Sequence, residues 1–240
     1  MKHIFVAKML FLLLAVAWLQ GCNPTKKVPE GAYLLRKNTI SVNDKKPKNS
    51  YIYGYLRQEP NSRLLGIPLG LLIYNLADDH AEENYQKWLE RHPKWHRFLD
   101  GFLSKKQTQR LGKSFLISGK DRMLQHMGQA PVIIDTVQTR KTAQTLHTYY
   151  NSVGYFNNKS HYEIIPSDKK KQASVTYVLD RGQRYYIDSL DTQILSAEVD
   201  SIYKKHIKER IIKPHTVYRL ENFANERARI TNLLRNNGFY

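Results

Sequence analysis

The sequence predicts an α+β fold built from β-α-α-β-β units, and three observations carry that expectation. Two segments, Ser160 to Ile165 and Ala173 to Leu179, alternate apolar and polar residues with the period of a strand, and the turn-forming run from Pro166 to Lys171 joins them as a hairpin. The segment before them, about Asp135 to Val153, places Val137, Ala143, Leu146, Tyr149, Tyr150 and Val153 at helical spacing, and Gly154 stops it. The same ending returns later: Gly154-Tyr155-Phe156 overlays Gly238-Phe239-Tyr240, which sets Leu146 over Ile230 and Tyr150 over Leu234.

In chain order, Lys2 and Lys8 accompany an apolar run from Met9 to Leu19. That run is too short for a bilayer core of about 30 Å, which needs roughly 20 residues, and fits the apolar part of a secretory signal. Leu19-Gln20-Gly21-Cys22 then places a cysteine after a small residue, as in a lipobox. Cleavage between Gly21 and Cys22 would leave Cys22 to carry a thioether-linked diacylglycerol, making membrane lipid a partner. The alternatives are an uncleaved anchor helix or an incidental cysteine. Cys22 is the only cysteine, so it has no partner for an internal disulfide and leaves none for a cysteine zinc site.

The formal net charge is +17. Removing residues 1–21 would take away Lys2 and Lys8, leaving 36 basic against 21 acidic residues, or +15. In an exported chain that excess suits anionic lipid head groups rather than nucleic acid, and no nucleic-acid partner is expected.

Residues 22–32, with two prolines and a glycine, read as a lipidated tether. Tyr33 to Val42 reads as the first strand. Ser50 is placed to cap a helix from Tyr51 to Arg57, which must end before Pro60. A segment of about residues 60–130 then separates this helix from the next. Within it Trp95, Phe98, Leu99, Phe102 and Leu103 have helical spacing. They read either as a membrane-surface or partner-binding face or as part of an inserted helical hairpin packed on its own domain, the commoner arrangement. Beyond Gly182, a strand is expected over Arg184 to Leu190 and helices over Ala197 to Lys208 and Leu220 to Asn237. This second unit lacks its last two strands and is expected to be incomplete.

The helix ending Tyr150-x-x-x-Gly154-Tyr155-Phe156, the hairpin and the step Leu179-Asp-Arg-Gly182 resemble polypeptide-transport-associated (POTRA) domains, which precede the barrel in the BamA/TamA family of outer-membrane assembly proteins. The lipobox, Asn23-Pro24, Pro29-Glu-Gly-Ala-Tyr33-Leu-Leu and Gly128-Gln-Ala-Pro131-Val resemble the lipoprotein form of that family, the TamL type. The resemblance covers the mature chain except for about residues 77–127.

The resemblance implies tandem POTRA-like units, each a three-stranded mixed sheet covered by two helices. The first would span 33–182 with an insertion at about 60–130, and the second would span 183–240, incomplete. It implies a lipid-anchored outer-membrane location with the POTRA region facing the periplasm, and unfolded outer-membrane proteins as clients. A TamB-like periplasm-spanning protein is a further candidate partner. In such units the last strand lies in the middle of the sheet, so Ala173 to Leu179 would lie between Tyr33 to Val42 and Ser160 to Ile165. The residues Ser160, His161, Tyr162, Glu163, Ile164 and Ile165 would then form an open edge for strand addition, with Tyr162 and Ile164 facing inward. Proline at His161 or Glu163 is expected to remove a main-chain donor there without touching the inward side chains. The alternative function is a structural envelope lipoprotein that scaffolds without binding clients.

Chemistry is not indicated. Gly112-Lys113-Ser114 would need glycine at 107 to form a phosphate loop, and that position is Gln107. His92 and His96 are four apart but lack an evident third ligand, so no metal site, cofactor or catalytic residue is expected. The tip Lys169-Lys170-Lys171 reads as a solvated turn, with lipid phosphate as its functional alternative.

Overall fold

The computed structural model describes residues 23–167 and 171–239. The expected signal segment, the expected cleavage site between Gly21 and Cys22, residues 168–170 of the expected hairpin tip and Tyr240 lie outside the described residues. The described residues form an α+β fold with one three-stranded mixed sheet. Its strands are β1 (Leu34–Val42), β2 (Lys159–Pro166) and β3 (Gln172–Asp180), in the order β1-β3-β2. The last strand is central, as expected.

Main-chain bonds fix the strand directions. Leu34 N–H donates to Lys171 O near the start of β3, and Asn43 N–H donates to Leu179 O near its end, so β1 and β3 run parallel. At the hairpin, Ser167 N–H donates to Gln172 O, so β2 and β3 run antiparallel. Alternation along β3 buries Ala173, Val175, Tyr177 and Leu179, the face the sequence assigns to the core.

Helices α1 (Leu69–Leu76), α2 (Ala81–Arg91), α3 (Pro93–Phe102), α4 (Lys105–Leu111) and α5 (Lys120–Met127) occupy the segment expected as an insertion. Helix α6 (Thr136–Ser152) precedes β2, while α7 (Ala197–Lys205) and α8 (Leu220–Asn236) follow β3. The helix expected at 51–57 is a 3-10 helix over Ser50–Tyr55, capped by the Asn49 side chain rather than by Ser50. Asn is as good an N-cap as Ser, and it stands one residue nearer the chain's entry into the turn.

Two compact units arise from discontinuous segments. The first comprises the chain up to Lys37, Glu59–Ile134 and Pro166–Ser174. Here residues 23–32, expected to be a tether, are packed instead. Val28 joins Leu34 and Leu71 in a buried cluster, Asn75 donates to the carbonyls of Asn23 and Pro24, and Lys27 pairs with Asp79 at 2.6 Å. One aliphatic side chain with a buried place to go, together with main-chain carbonyls held by an amide, outweighs the loop-like composition. Gly128 lies against α1 so closely that a Cβ on it would stand 2.5 Å from Tyr74 N.

The second unit comprises Asn38–Gln58, Asp135–Ile165 and the chain from Val175 onward. Helix α6 starts at Asp135, whose carboxylate accepts from Val137 and Gln138 N–H, and buries Thr139, Thr142, Ala143, Leu146 and Tyr150. Thr139 and Thr142 hydrogen-bond the hydroxyl of fully buried Tyr177, and Thr142 also accepts from Arg57 N–H beyond the 3-10 helix.

The helix end is closed by Gly154, at φ +92°, with Tyr155 N–H donating back to Tyr150 O. A side chain at 154 would meet Tyr218 O at 2.8 Å. Gly238, at φ +86°, repeats the device, with Phe239 N–H donating to Leu234 O, so the two helix ends matched in the sequence share one geometry. The strand expected over 184–190 forms only an isolated bridge, Tyr186 to Val217. Of α8, only Glu226 is buried.

Candidate partner-binding edge

Strand β2 has β3 on one side and, among the described residues, no strand on the other. The outer side of β1 is treated differently. Leu35 N–H donates to Val132 O and Ile134 N–H donates to Tyr33 O, so the segment around Ile133 covers the beginning of that edge. A sheet edge with free donors and acceptors is either guarded or used, and among the described residues no segment covers β2 as this one covers β1.

The alternation along β2 is regular. Ser160, Tyr162 and Ile164 are half-buried, while Lys159, His161, Glu163, Ile165 and Pro166 are exposed. His161 Nε2 lies 3.7 Å from Glu163 on the outer face. The structure therefore brings all six residues expected at the edge onto one strand, with Tyr162 and Ile164 inward.

The hairpin bond also corrects one expectation. Because Ser167 N–H is bonded to β3, alternate residues back along an antiparallel strand, Ile165, Glu163 and His161, also direct their N–H groups to β3. The free donors belong to Ser160, Tyr162 and Ile164. Proline at His161 or Glu163 would break the internal ladder, not the open edge.

Beside β2 lies a cleft of about 540 Å³, lined on one side by Arg140, Ala143, Gln144 and His147 of α6 and on the other by Asn158 to Tyr162. Arg140, Gln144 and His147 follow one another by four and three residues and so share one face of α6. Asn158, almost fully buried, fastens the cleft at its end. Its amide donates to Asn151 Oδ1 at 2.7 Å, to Tyr155 O at 2.7 Å and to His147 O at 3.2 Å, and its Oδ1 accepts from His147 Nδ1 at 2.8 Å. Asn151 Nδ2 then faces His147 Nε2 at 3.2 Å, which assigns the Nδ1–H tautomer to His147. These α6 residues and Asn158 escaped the sequence reading. The spacing of Arg140, Gln144 and His147 was visible, but a polar stripe on a helix ordinarily means solvent.

Among the described residues, no group of three or more His, Cys, Asp or Glu is placed to hold a metal. No helix among them is long and apolar enough to cross a membrane.

No family model matches the chain, and no curated protein matches it. Among solved structures, the chain is similar to POTRA domains 3 to 5 of BamA from Haemophilus influenzae, at 12% identity, covering 89% of this chain and 90% of that one with a TM-score of 0.26.

Proposed function

We propose that the chain is the POTRA region of a lipid-anchored factor for outer-membrane protein assembly, of the TamL type, held at the outer membrane through Cys22 and facing the periplasm. Its part is to bind client or partner polypeptides in extended form. The observation that carries this reading is the uncovered edge of β2 beside the α6 cleft. An incoming strand pairs with the main chain at Ser160, Tyr162 and Ile164, a mode tolerant of sequence, while its inward side chains enter the cleft beside Ala143 and Gln144. Arg140 stands at the rim, where it meets acidic side chains of the guest. A TamB-like periplasm-spanning protein and unfolded barrel proteins both offer extended segments. Residues 183–240 are read as belonging to a second POTRA-like unit.

The test is photo-crosslinking of the full chain from position 161 or 163 to a denatured outer-membrane barrel protein diluted out of urea. Adducts from these positions, and none from exposed Glu221 on α8, are expected. Equal adducts from all three would contradict a built binding edge. A structural scaffold without clients is the second reading, favoured by no specific observation.

A further inference from the structure

The aromatic stripe of the insertion divides in the structure. Leu99 on α3 and Leu103 at its C-cap turn partly inward, whereas Trp95, Phe98 and Phe102 stand 57%, 61% and 80% exposed, and no residue of the helix is buried. The three rings form a continuous ladder. Trp95 meets Phe98 edge to face at 6.0 Å, and Phe98 stacks on Phe102 at 6.5 Å.

The surroundings of this ladder are basic. From Pro93 to Lys106 there are four basic residues, Lys94, Arg97, Lys105 and Lys106, against one acid. That acid, Asp100, is half-buried and faces His96 at 3.5 Å. Lys94, Lys105 and Lys106 make no ion pair among the described residues. Lys94 borders the ladder on the helix surface, and Lys105 and Lys106 open α4 just beyond its last ring.

We infer that the Trp95-Phe98-Phe102 face of α3 lies on an anionic bilayer surface, its rings entering the head-group boundary and the neighbouring lysines meeting lipid phosphates. Exposed aromatic rings alone would fit many partners, but rings bordered by unpaired cations match an interface that is apolar inside and anionic at its rim. Chain length supports the same occupant. Asn23, next in sequence to Cys22, is already bonded to Asn75 of the first unit, which also contains α3. This part of the argument rests on the lipid anchor of the proposed function, whose failure would show separately as an unmodified Cys22.

The full chain is reconstituted into vesicles of phosphatidylglycerol and phosphatidylcholine, with photoreactive benzoylphenylalanine replacing Phe98, Phe102 or, as a control on α2, Lys87. Circular dichroism verifies the fold of each. Lipid adducts are expected from positions 98 and 102 and not from 87. Their yield should fall about fivefold with Lys94→Gln, and as much or more in pure phosphatidylcholine. Adducts to a second copy or to another protein in place of lipid would overturn the inference. So would equal lipid yields from position 87, or equal yields in the two vesicle types.

Discussion

Ser160 Oγ donates to the carbonyl of Ala143 at 2.9 Å, tying the start of the edge strand to the middle of α6. Together with the Asn158 network two residues earlier, it sets the spacing of the cleft before any partner arrives. The edge is therefore held in place by the fold itself, and under the proposed function an incoming strand need order only itself.

Asn158→Ala removes four side-chain hydrogen bonds from a buried position and strands the His147 Nδ1–H, while the Tyr155 carbonyl keeps the main-chain N–H of residue 158. We expect a loss of about 2–3 kcal/mol in urea unfolding, against about 1 kcal/mol for Ser160→Ala, which removes one donor. An equal, negligible effect of both would show that the cleft is not held by these bonds.

Two glycines should respond in opposite directions. Gly128→Ala drives a methyl into the α1 backbone at Tyr74 and should destabilise by about 1–3 kcal/mol. Gly101→Ala, within α3 and with open space around it, should stabilise by up to about 1 kcal/mol through helix propensity. Thermal unfolding of the two variants checks both signs.

Acid should loosen the second unit through Glu226. Burial pushes its carboxyl upward, but the Arg229 guanidinium and Ile211 N–H outweigh burial and hold it below the ordinary carboxylate value. A depressed folded-state pKa gives stability that is fully present above the unfolded value and lost as pH falls through the folded one. Glu226→Gln should cost about 1–3 kcal/mol near neutrality and flatten the acid limb of the stability profile. An unchanged acid limb would mean that other carboxylates dominate it.

Lipidation is decided by mass spectrometry of the amino-terminal peptide. A mature chain beginning at Cys22 and carrying diacylglycerol is expected, and Cys22→Ala should release the protein from the membrane or leave the signal uncleaved. Cleavage at another residue would contradict the lipoprotein reading.

Where burial follows sequence period, the sequence was enough. β2, β3 and α6 appear within a residue or two of their expected bounds because half-buried strands and amphipathic helices write their burial into spacing. The shared helix ends at Gly154 and Gly238 were legible for the same local reason. Legibility failed where long-range contacts decide. Arg184 to Leu190 has strand-like residues, but the main-chain bonds of Tyr185 and Ile187 to the 215–218 segment close only one isolated bridge, Tyr186 to Val217. Residues 23–32 look like a tether until Val28 is seen beside Leu71. In the site, the edge strand could be read, but which of its N–H groups are free follows from one hairpin bond, and the α6 wall and Asn158 are polar residues whose pairing no period reveals.

The most direct test removes a single free donor from the edge while keeping every side chain. Replacing Tyr162 with its α-hydroxy acid converts its amide to an ester, and binding is measured by fluorescence with a labelled strand peptide of about ten alternating apolar and polar residues, the length of a barrel strand. The account predicts affinity lower by about fivefold, since a main-chain hydrogen bond contributes about 1 kcal/mol, with only a smaller loss of fold stability from the weaker ester carbonyl of His161. The same change at Glu163 should instead lower fold stability by a similar amount, because that N–H is already bonded to β3. Wild-type affinity for the Tyr162 ester would contradict strand addition at this edge.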